Sequence, residues 1–147
     1  MATFNAVDLG TKNRHMGEFG NATIHWGAVT PTAGALADIY RPVVIPGGIE
    51  VTDLIINFPD MDSGGTAFAV KIGYVPVNVD EGPAEVLDYF SAATTVLSGT
   101  TKELRCVFRP IKFERPVYVQ FTVTVAATTF VSGEIVAKAY GDNKGIK

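Results

Sequence analysis

Alternating hydrophobic and polar residues predict β-strands along most of this chain. In the clearest run, Pro116–Val125, every second residue from Val117 onward is valine or phenylalanine, and Tyr, Gln or Thr stands between them. Successive side chains of a strand point to opposite faces of a sheet, so period-two alternation is typical of a strand with one buried face. The run therefore predicts a half-buried strand.

Five further segments have a strand-like pattern. Glu50–Phe58 is more continuously apolar, which favours a strand covered on both faces. Leu36–Ile45 contains Pro42, which cannot donate a ladder hydrogen bond and so indicates the edge of a sheet. The other three alternate as the first run does: Thr66–Val75, Lys102–Arg109 and Ser132–Tyr140.

The segment Gly82–Ala93 interrupts this series of strands. Pro83 suits the first turn of a helix, and Val86, Leu87 and Phe90 would then share one helical face. We predict a short helix or helical turn here, lying across one end of the β-structure.

Glycine-containing turns separate the predicted strands, and they decide the fold class. Many short strands with turn signals between them are typical of an antiparallel β-sandwich. We therefore predict an all-β fold, an antiparallel sandwich of jelly-roll topology with one short helix. The turn segments are Pro46–Gly48, Asp62–Gly65, Ser98–Thr100 and Ser132–Gly133.

Residues 1–32 lack sustained periodicity and carry isolated aromatic residues. Only Asn21–Val29 alternates, so we predict an extended N-terminal arm over residues 1–32 and a sandwich domain over residues 33–147. Lone aromatics suit an arm that orders on a neighbouring subunit, although a mobile terminus folded back on its own domain explains them equally well. The candidate partner-binding residues are Phe4, Phe19, His25 and Trp26.

Composition and charge narrow the possible partners. Hydrophobic residues make up 47% of the chain and charged residues 18%, which indicates that part of the surface is covered by something else. The net charge is −3 and no cluster of basic residues is visible, so we expect neither nucleic acid nor an anionic membrane as a partner. The N-terminus lacks the pattern of a signal peptide, so we expect synthesis in a cytoplasm.

Residues that carry chemistry are scarce. No nucleotide-binding, metalloprotease or nucleophile-elbow motif is present, and both histidines, His15 and His25, fall in the predicted arm. Asp60–Gly64 begins like a calcium loop but has glycine at its fifth position, so we interpret it as a polar turn. Cys106, the single cysteine, lies on a predicted inward face and is assigned to the core. We predict no catalytic, cofactor or metal residues and no enzymatic activity.

Three stretches resemble small virion proteins of tailed bacteriophages. They are PDMDSGGTAFAVKIGYVPVN, VLDYFSAATTVLSG and ERPVYVQFTVTVAATTFVSGEIVAKAYG, and together they span about Val51 to Gly141. Some proteins of this type are decoration or cement proteins. The resemblance implies a dimer or trimer that binds the major capsid protein on the outside of the capsid and strengthens the shell.

Two other functions remain open from the sequence. Another virion component, such as a head fibre, a tail protein or a carbohydrate-binding jelly roll, would group exposed aromatics in one groove; the candidates are Tyr40, Tyr74, Tyr89 and Tyr118. A small-barrel enzyme would need a deep polar pocket, for which Asp38, Asp53 and Glu103 are the candidates.

Overall fold

The computed structural model describes residues 1–5, 14–16, 22–65, 67–98 and 102–146, and its secondary structure is almost entirely β. Among these residues the one helical element is a single 3-10 turn, Val96–Ser98, and no helix is long and apolar enough to cross a membrane. The strands are β1 (Thr3–Asn5), β2 (Arg14–Met16), β3 (Ala22–Val29), β4 (Ile39–Ile45), β5 (Ile49–Asn57), β6 (Ala69–Pro76), β7 (Val86–Thr94), β8 (Glu103–Cys106), β9 (Ile111–Phe113), β10 (Val117–Val125) and β11 (Ile135–Asn143).

The described strands form two sheets that share one hydrophobic core. The five-stranded sheet has the order β1-β4-β10-β6-β7, and the six-stranded sheet has the order β2-β3-β11-β5-β8, with β9 also paired to β5. The β1–β4 pairing is parallel and the other described pairings are antiparallel. The all-β class is confirmed, whereas this strand order does not confirm a jelly roll.

The long C-terminal strands β10 and β11 lie at the centres of the two sheets. Strand β10 pairs with β4 and β6, and β11 pairs with β3 and β5. Four of the five predicted inward residues of β10 are fully buried: Val117, Val119, Phe121 and Val123. Val125 is instead exposed, because the pairing with β6 shifts register just before it. The predicted alternation is thus confirmed up to that bulge.

The predicted helix at Gly82–Ala93 is wrong, because most of this segment is the edge strand β7. Strand β7 pairs with β6, and Gly73 of β6 makes the close approach possible: a Cβ atom there would lie 2.0 Å from the Val86 carbonyl oxygen. A helix of about nine residues is marginal in water, whereas pairing on an existing strand supplies hydrogen bonds and buries Phe90. Tertiary pairing therefore decides the structure here.

Two predictions about strand environment also need correction. Strand β4 is not simply an edge strand, since β1 pairs with Ile39–Arg41. Pro42 is tolerated because it falls where the pairing between β4 and β10 shifts register. Strand β5 is covered on one face only, since Ile55 remains half-buried on the outer side of the six-stranded sheet.

An extended N-terminal arm is not what the described residues show. Ala22–Val29 pairs with β11 over its whole length as strand β3, and β1 and β2 pair with β4 and β3. The Asp38 carboxylate fixes the start of the chain by accepting the Ala2 backbone N–H at 2.7 Å. The predicted boundary between an N-terminal segment of residues 1–32 and a sandwich domain of residues 33–147 stays a prediction. Pairing of the terminal segment with the sheets does not exclude that it separates from them as a unit.

The two sheets approach each other closely at β3 and β4. Gly27 of β3 faces Pro42 of β4 so closely that a Cβ atom on Gly27 would lie 2.1 Å from the Pro42 carbonyl oxygen. Only glycine fits between the two backbones. The close approach positions β3 and determines which of its side chains face outward.

Candidate partner-binding surface

The four candidate partner-binding residues occupy different environments. Phe4 is half-buried, with its ring centroid 5.8 Å from that of Tyr40, and His25 is only 2% exposed. Trp26 is 44% exposed, whereas Phe19 lies outside the described residues. The structure therefore does not gather the three described members into one site, and the shared role of the four residues in partner binding stays a prediction. Of the three described members, Trp26 has the position best suited to a contact.

Strand β3 has its larger apolar side chains on the outside. Ile24 and Trp26 face solvent, while Thr23, His25 and Gly27 face the interior. The Thr23 hydroxyl donates to the Gly141 carbonyl oxygen at 3.3 Å, so this inward polar group is hydrogen-bonded. The close approach to Pro42 excludes a large side chain at Gly27. The predicted alternation is present, but the larger apolar side chains face solvent, whereas in an ordinary half-buried strand they face the core.

The neighbouring strand β11 extends the apolar patch. Its outward residues Val136 and Tyr140 are half-buried, and Tyr140 lies opposite Ile24 in the antiparallel register. Together with β3 they line an open depression of about 400 Å³. We call this surface the Trp26 face and define it by Ile24, Trp26, Val136, Lys138 and Tyr140.

Lys138 occupies the middle of the Trp26 face. It pairs with Trp26 on one side and with Ile55 on the other, so both its cross-strand neighbours are apolar. Within the described part of the chain, Lys138 makes no ion pair and no side-chain hydrogen bond. The face thus contains, at the centre of an apolar surface, a cation that has no counterion among the described residues.

The acidic residues on the strands next to the Trp26 face have hydrogen-bonding partners within the molecule. Arg105 contacts Asp53 at 2.7 Å through one guanidinium nitrogen and donates a second hydrogen bond of 3.1 Å from Nε. These bonds raise the pKa of Arg105. The Asn57 amide donates to a Glu103 carboxylate oxygen at 3.2 Å. These four side chains therefore have hydrogen-bonding partners within the molecule, whereas Lys138 has none among the described residues.

A second concavity lies at the Tyr74 end of the core. It has a volume of about 250 Å³ and an apolar floor that includes Tyr74 and Phe113. Two ion pairs lie at its rim: Glu81 with Arg115 at 3.9 Å, and Lys112 with Glu114 at 2.8 Å. Since these four charges are paired in the monomer, this cleft offers a partner less electrostatic attraction than the Trp26 face.

The residues considered for sugar binding do not form one groove. Tyr40 is fully buried, and its hydroxyl donates to the Ala33 carbonyl oxygen at 2.7 Å. Burial, followed by the nearby Asp38 carboxylate, raises the pKa of Tyr40. Tyr74 and Tyr89 contact each other within the aromatic core, whereas Tyr118 lies under the Arg41 guanidinium. The tyrosines thus lie apart.

The acidic residues considered for catalysis are also separated. Asp38 is buried in the turn before β4 and accepts the backbone N–H groups of Ala2 and Ala35, while Asp53 and Glu103 lie on the outer face of the six-stranded sheet. No group of three or more His, Cys, Asp or Glu side chains suited to a metal occurs among the described residues.

The Asp62 turn and Cys106 have structural surroundings. Asp62 accepts the Thr129 N–H at 2.9 Å and the Gly64 N–H at 3.3 Å, as a polar turn residue does. Cys106 is buried in the core, and this burial raises the pKa of its thiol to about 12. A thiol with so high a pKa stays protonated, so it is a poor nucleophile.

Comparison with solved structures identifies the fold. A chain from the capsid of Ralstonia phage GP4 superposes with a TM-score of 0.73 at 19% sequence identity, covering 99% of this chain and 100% of that chain. A chain from the capsid asymmetric unit of cyanophage Pam1 has a TM-score of 0.68 at 18% identity, covering 87% and 89%. No family model and no curated protein matches the sequence. The chain therefore has a fold found in phage capsid structures.

Sequence reasoning found Trp26 but missed the rest of its face. The alternation of Ser132–Tyr140 puts Lys138 on the outward side, but it does not indicate that Val136 and Tyr140 on the same side of β11 belong to a surface. The available signal was the small size of their inward neighbours Ala137 and Ala139, which leaves the larger apolar side chains on the outside.

Proposed function

We propose that this chain is a structural, non-enzymatic protein of a phage virion that binds the outer surface of the capsid and stabilises the shell, as decoration or cement proteins do. The observation that carries the proposal is the fold match with a chain of the Ralstonia phage GP4 capsid, which extends over nearly the full length of both chains. Since both are covered almost completely, the two chains have similar lengths, so the likeness is not to one domain of a much larger protein.

The properties of the surface support this proposal. The described residues include no group of three or more His, Cys, Asp or Glu side chains suited to a metal, whereas the Trp26 face exposes tryptophan and isoleucine. Exposed aromatic residues beside a flat sheet are typical of protein contacts, in which a few anchors supply most of the binding energy. A shell-binding protein needs such a surface rather than a reactive group.

Stabilisation then follows from mass action. A protein that binds the assembled shell but not its dissociated subunits shifts the equilibrium toward the shell. The proposed partner is the major capsid protein, and self-association as a dimer or trimer would multiply weak contacts by avidity. The proposed location is the exterior of the virion, after synthesis in the host cytoplasm.

Copy number in purified virions tests the proposal. The chain is quantified against the major capsid protein by mass spectrometry with isotope-labelled peptide standards. A ratio of one, or a simple fraction of one, is expected for a shell component. A few copies per particle would instead assign the chain to the tail or a vertex, and complete absence would refute a virion role.

A matched functional measurement tests the stabilising role. Particles with and without this chain are heated, and the temperature of DNA release is recorded with a dye that fluoresces on DNA. Release at a lower temperature is expected without the chain, and re-addition of the purified protein should restore the higher value. Equal release temperatures would contradict a cement function while leaving a virion location intact.

A further inference from the structure

We propose that the Trp26 face docks a protein segment that presents a carboxylate beside an apolar side chain, and that the Lys138 ammonium binds this carboxylate. The inference rests on the proposed function, because it takes the segment to belong to the capsid shell. It adds the chemistry of the contact: an Asp or Glu side chain over Lys138 and an apolar side chain against Trp26.

The apolar part of the proposed contact is supported by strand β3, whose larger apolar side chains face solvent. Trp26 is 44% exposed and Ile24 is 39% exposed, while the smaller or more polar Thr23 and Gly27 occupy the inward positions. Covering the outward side chains removes apolar area from water, which is favourable by about 25 cal/mol per Å². The face is therefore arranged to gain free energy from a partner rather than from its own core.

The charged part of the proposed contact is supported by Lys138. An ammonium group surrounded by Trp26, Ile55 and Tyr140 loses hydration when an apolar partner covers it, and it then needs a counterion. On the neighbouring strands β5 and β8, Asp53 is paired with Arg105, and Glu103 accepts a hydrogen bond from Asn57. Because no described acidic side chain pairs with Lys138, we assign the carboxylate to the partner, which makes the contact selective for an acidic segment.

The same charge argues against other occupants. A two-fold contact between two copies of the face would place Lys138 near its own symmetry mate, and like charges brought together in an interface are destabilising. A polyanion such as nucleic acid or an anionic lipid surface binds through several cations, whereas Lys138 is the one cation among the residues that define the Trp26 face. A discrete carboxylate on a protein segment fits Lys138 without these conflicts.

Binding of purified variants to phage particles that lack this chain tests the inference. The charge variants are Lys138→Glu and Lys138→Met, and the aromatic variant is Trp26→Ser. We expect Lys138→Glu and Trp26→Ser each to weaken binding by about tenfold or more, as the loss of an interface anchor does. Lys138→Met keeps an apolar stem without the charge, so its binding should lose most of the salt dependence of the wild type.

Matched controls lie on the outer face of the other sheet. Lys71→Glu reverses a lysine that is likewise half-buried at mid-strand, and Tyr118→Ser removes a half-buried aromatic. Both should bind as the wild type does. Far-UV circular dichroism and thermal unfolding of every variant verify that the fold is retained before binding is compared.

The outcomes separate the two proposals. If the wild type binds and the face variants bind equally well, the docking inference is wrong and the proposed function stands. If all variants lose binding, the controls included, the inference is also wrong, because the effect is not specific to the face. If the wild type does not bind, both proposals fail. If analytical ultracentrifugation shows a dimer that Trp26→Ser dissociates, the face joins two copies of the chain, and the shell contact is refuted.

Discussion

Replacing Gly27 with alanine places a methyl group against the backbone of the opposite sheet. The added Cβ would lie 2.1 Å from the Pro42 carbonyl oxygen, whereas ordinary contact begins at 3.4 Å. Strands β3 and β4 would thus have to separate locally by about 1.3 Å. The obstacle is a backbone atom held between β1, β10 and the core, so no side-chain rotation relieves it. Forced overpacking of this kind costs about 1–3 kcal/mol of folding free energy. We expect a cost near the upper end of this range, because no change of side-chain rotamer relieves the contact.

Equilibrium urea unfolding, followed by tyrosine and tryptophan fluorescence, measures this cost. With a slope of about 1–3 kcal/mol per molar urea, a loss of 2–3 kcal/mol lowers the midpoint by roughly 1 M or more. Ala22→Val is the matched control, since it enlarges an exposed residue of the same strand and should leave the midpoint nearly unchanged. A Gly27→Ala midpoint within about 0.3 M of the wild type would show that the sheets separate freely, and the reasoning from close approach would be refuted.

Four further predictions concern stability and exposure. Ala37 has a left-handed backbone with φ of 67°, so Ala37→Gly should stabilise the fold by up to about 1 kcal/mol in urea unfolding; destabilisation would contradict this. The hydrogen bond from the Thr129 N–H, partly opposed by burial, lowers the pKa of Asp62. The stability that this carboxylate contributes is therefore present above its unfolded pKa of about 3.9 and is lost as the pH falls through the lower folded pKa. Asp62→Asn should therefore flatten the acid limb of a plot of urea midpoint against pH. Cys106 should react with Ellman's reagent at pH 8 only after unfolding, and rapid reaction of the native protein would show that it is not buried. Trp26 is the single tryptophan, so acrylamide should quench its fluorescence in the free protein and quench it less on bound shells; strong protection in the free protein would mean that the Trp26 face is already covered.

Local patterning predicted most strands because their inward residues alternate cleanly. Phe68, Val70, Ile72 and Tyr74 all face the core as the sequence indicates, and so do Ile135, Ala137 and Ala139. In these segments the hydrophobic period and the sheet pairing favour the same structure, so the sequence alone is sufficient.

The failures occur where a partner strand decides the structure. Val86, Leu87 and Phe90 suit a helix by spacing, but Gly73 on β6 brings β7 close enough to pair instead. Likewise, β3 turns its Trp26 outward because Gly27 is needed against Pro42, a contact between strands that belong to different sheets. Neither close approach is visible in a local window of sequence.

The candidate site was only partly predictable for the same reason. Trp26 is recognisable in the sequence as a lone aromatic residue. The Trp26 face, however, depends on the register that sets Lys138 opposite Trp26 and Tyr140 opposite Ile24. A register between residues more than a hundred positions apart follows from the assembled sheet, not from either strand alone.

The central positions of β10 and β11 have a consequence for synthesis on the ribosome. Strands β4 and β6 have no common partner until β10 emerges, and β3 and β5 have none until β11 does. The 71 residues between the end of β4 and the start of β10 take roughly 4–14 s to synthesise at a translation rate of about 5–20 residues per second, and β4 waits that long for its central partner. Completion of each sheet therefore waits for its central strand, and nascent chains that stall before β10 expose aggregation-prone edges.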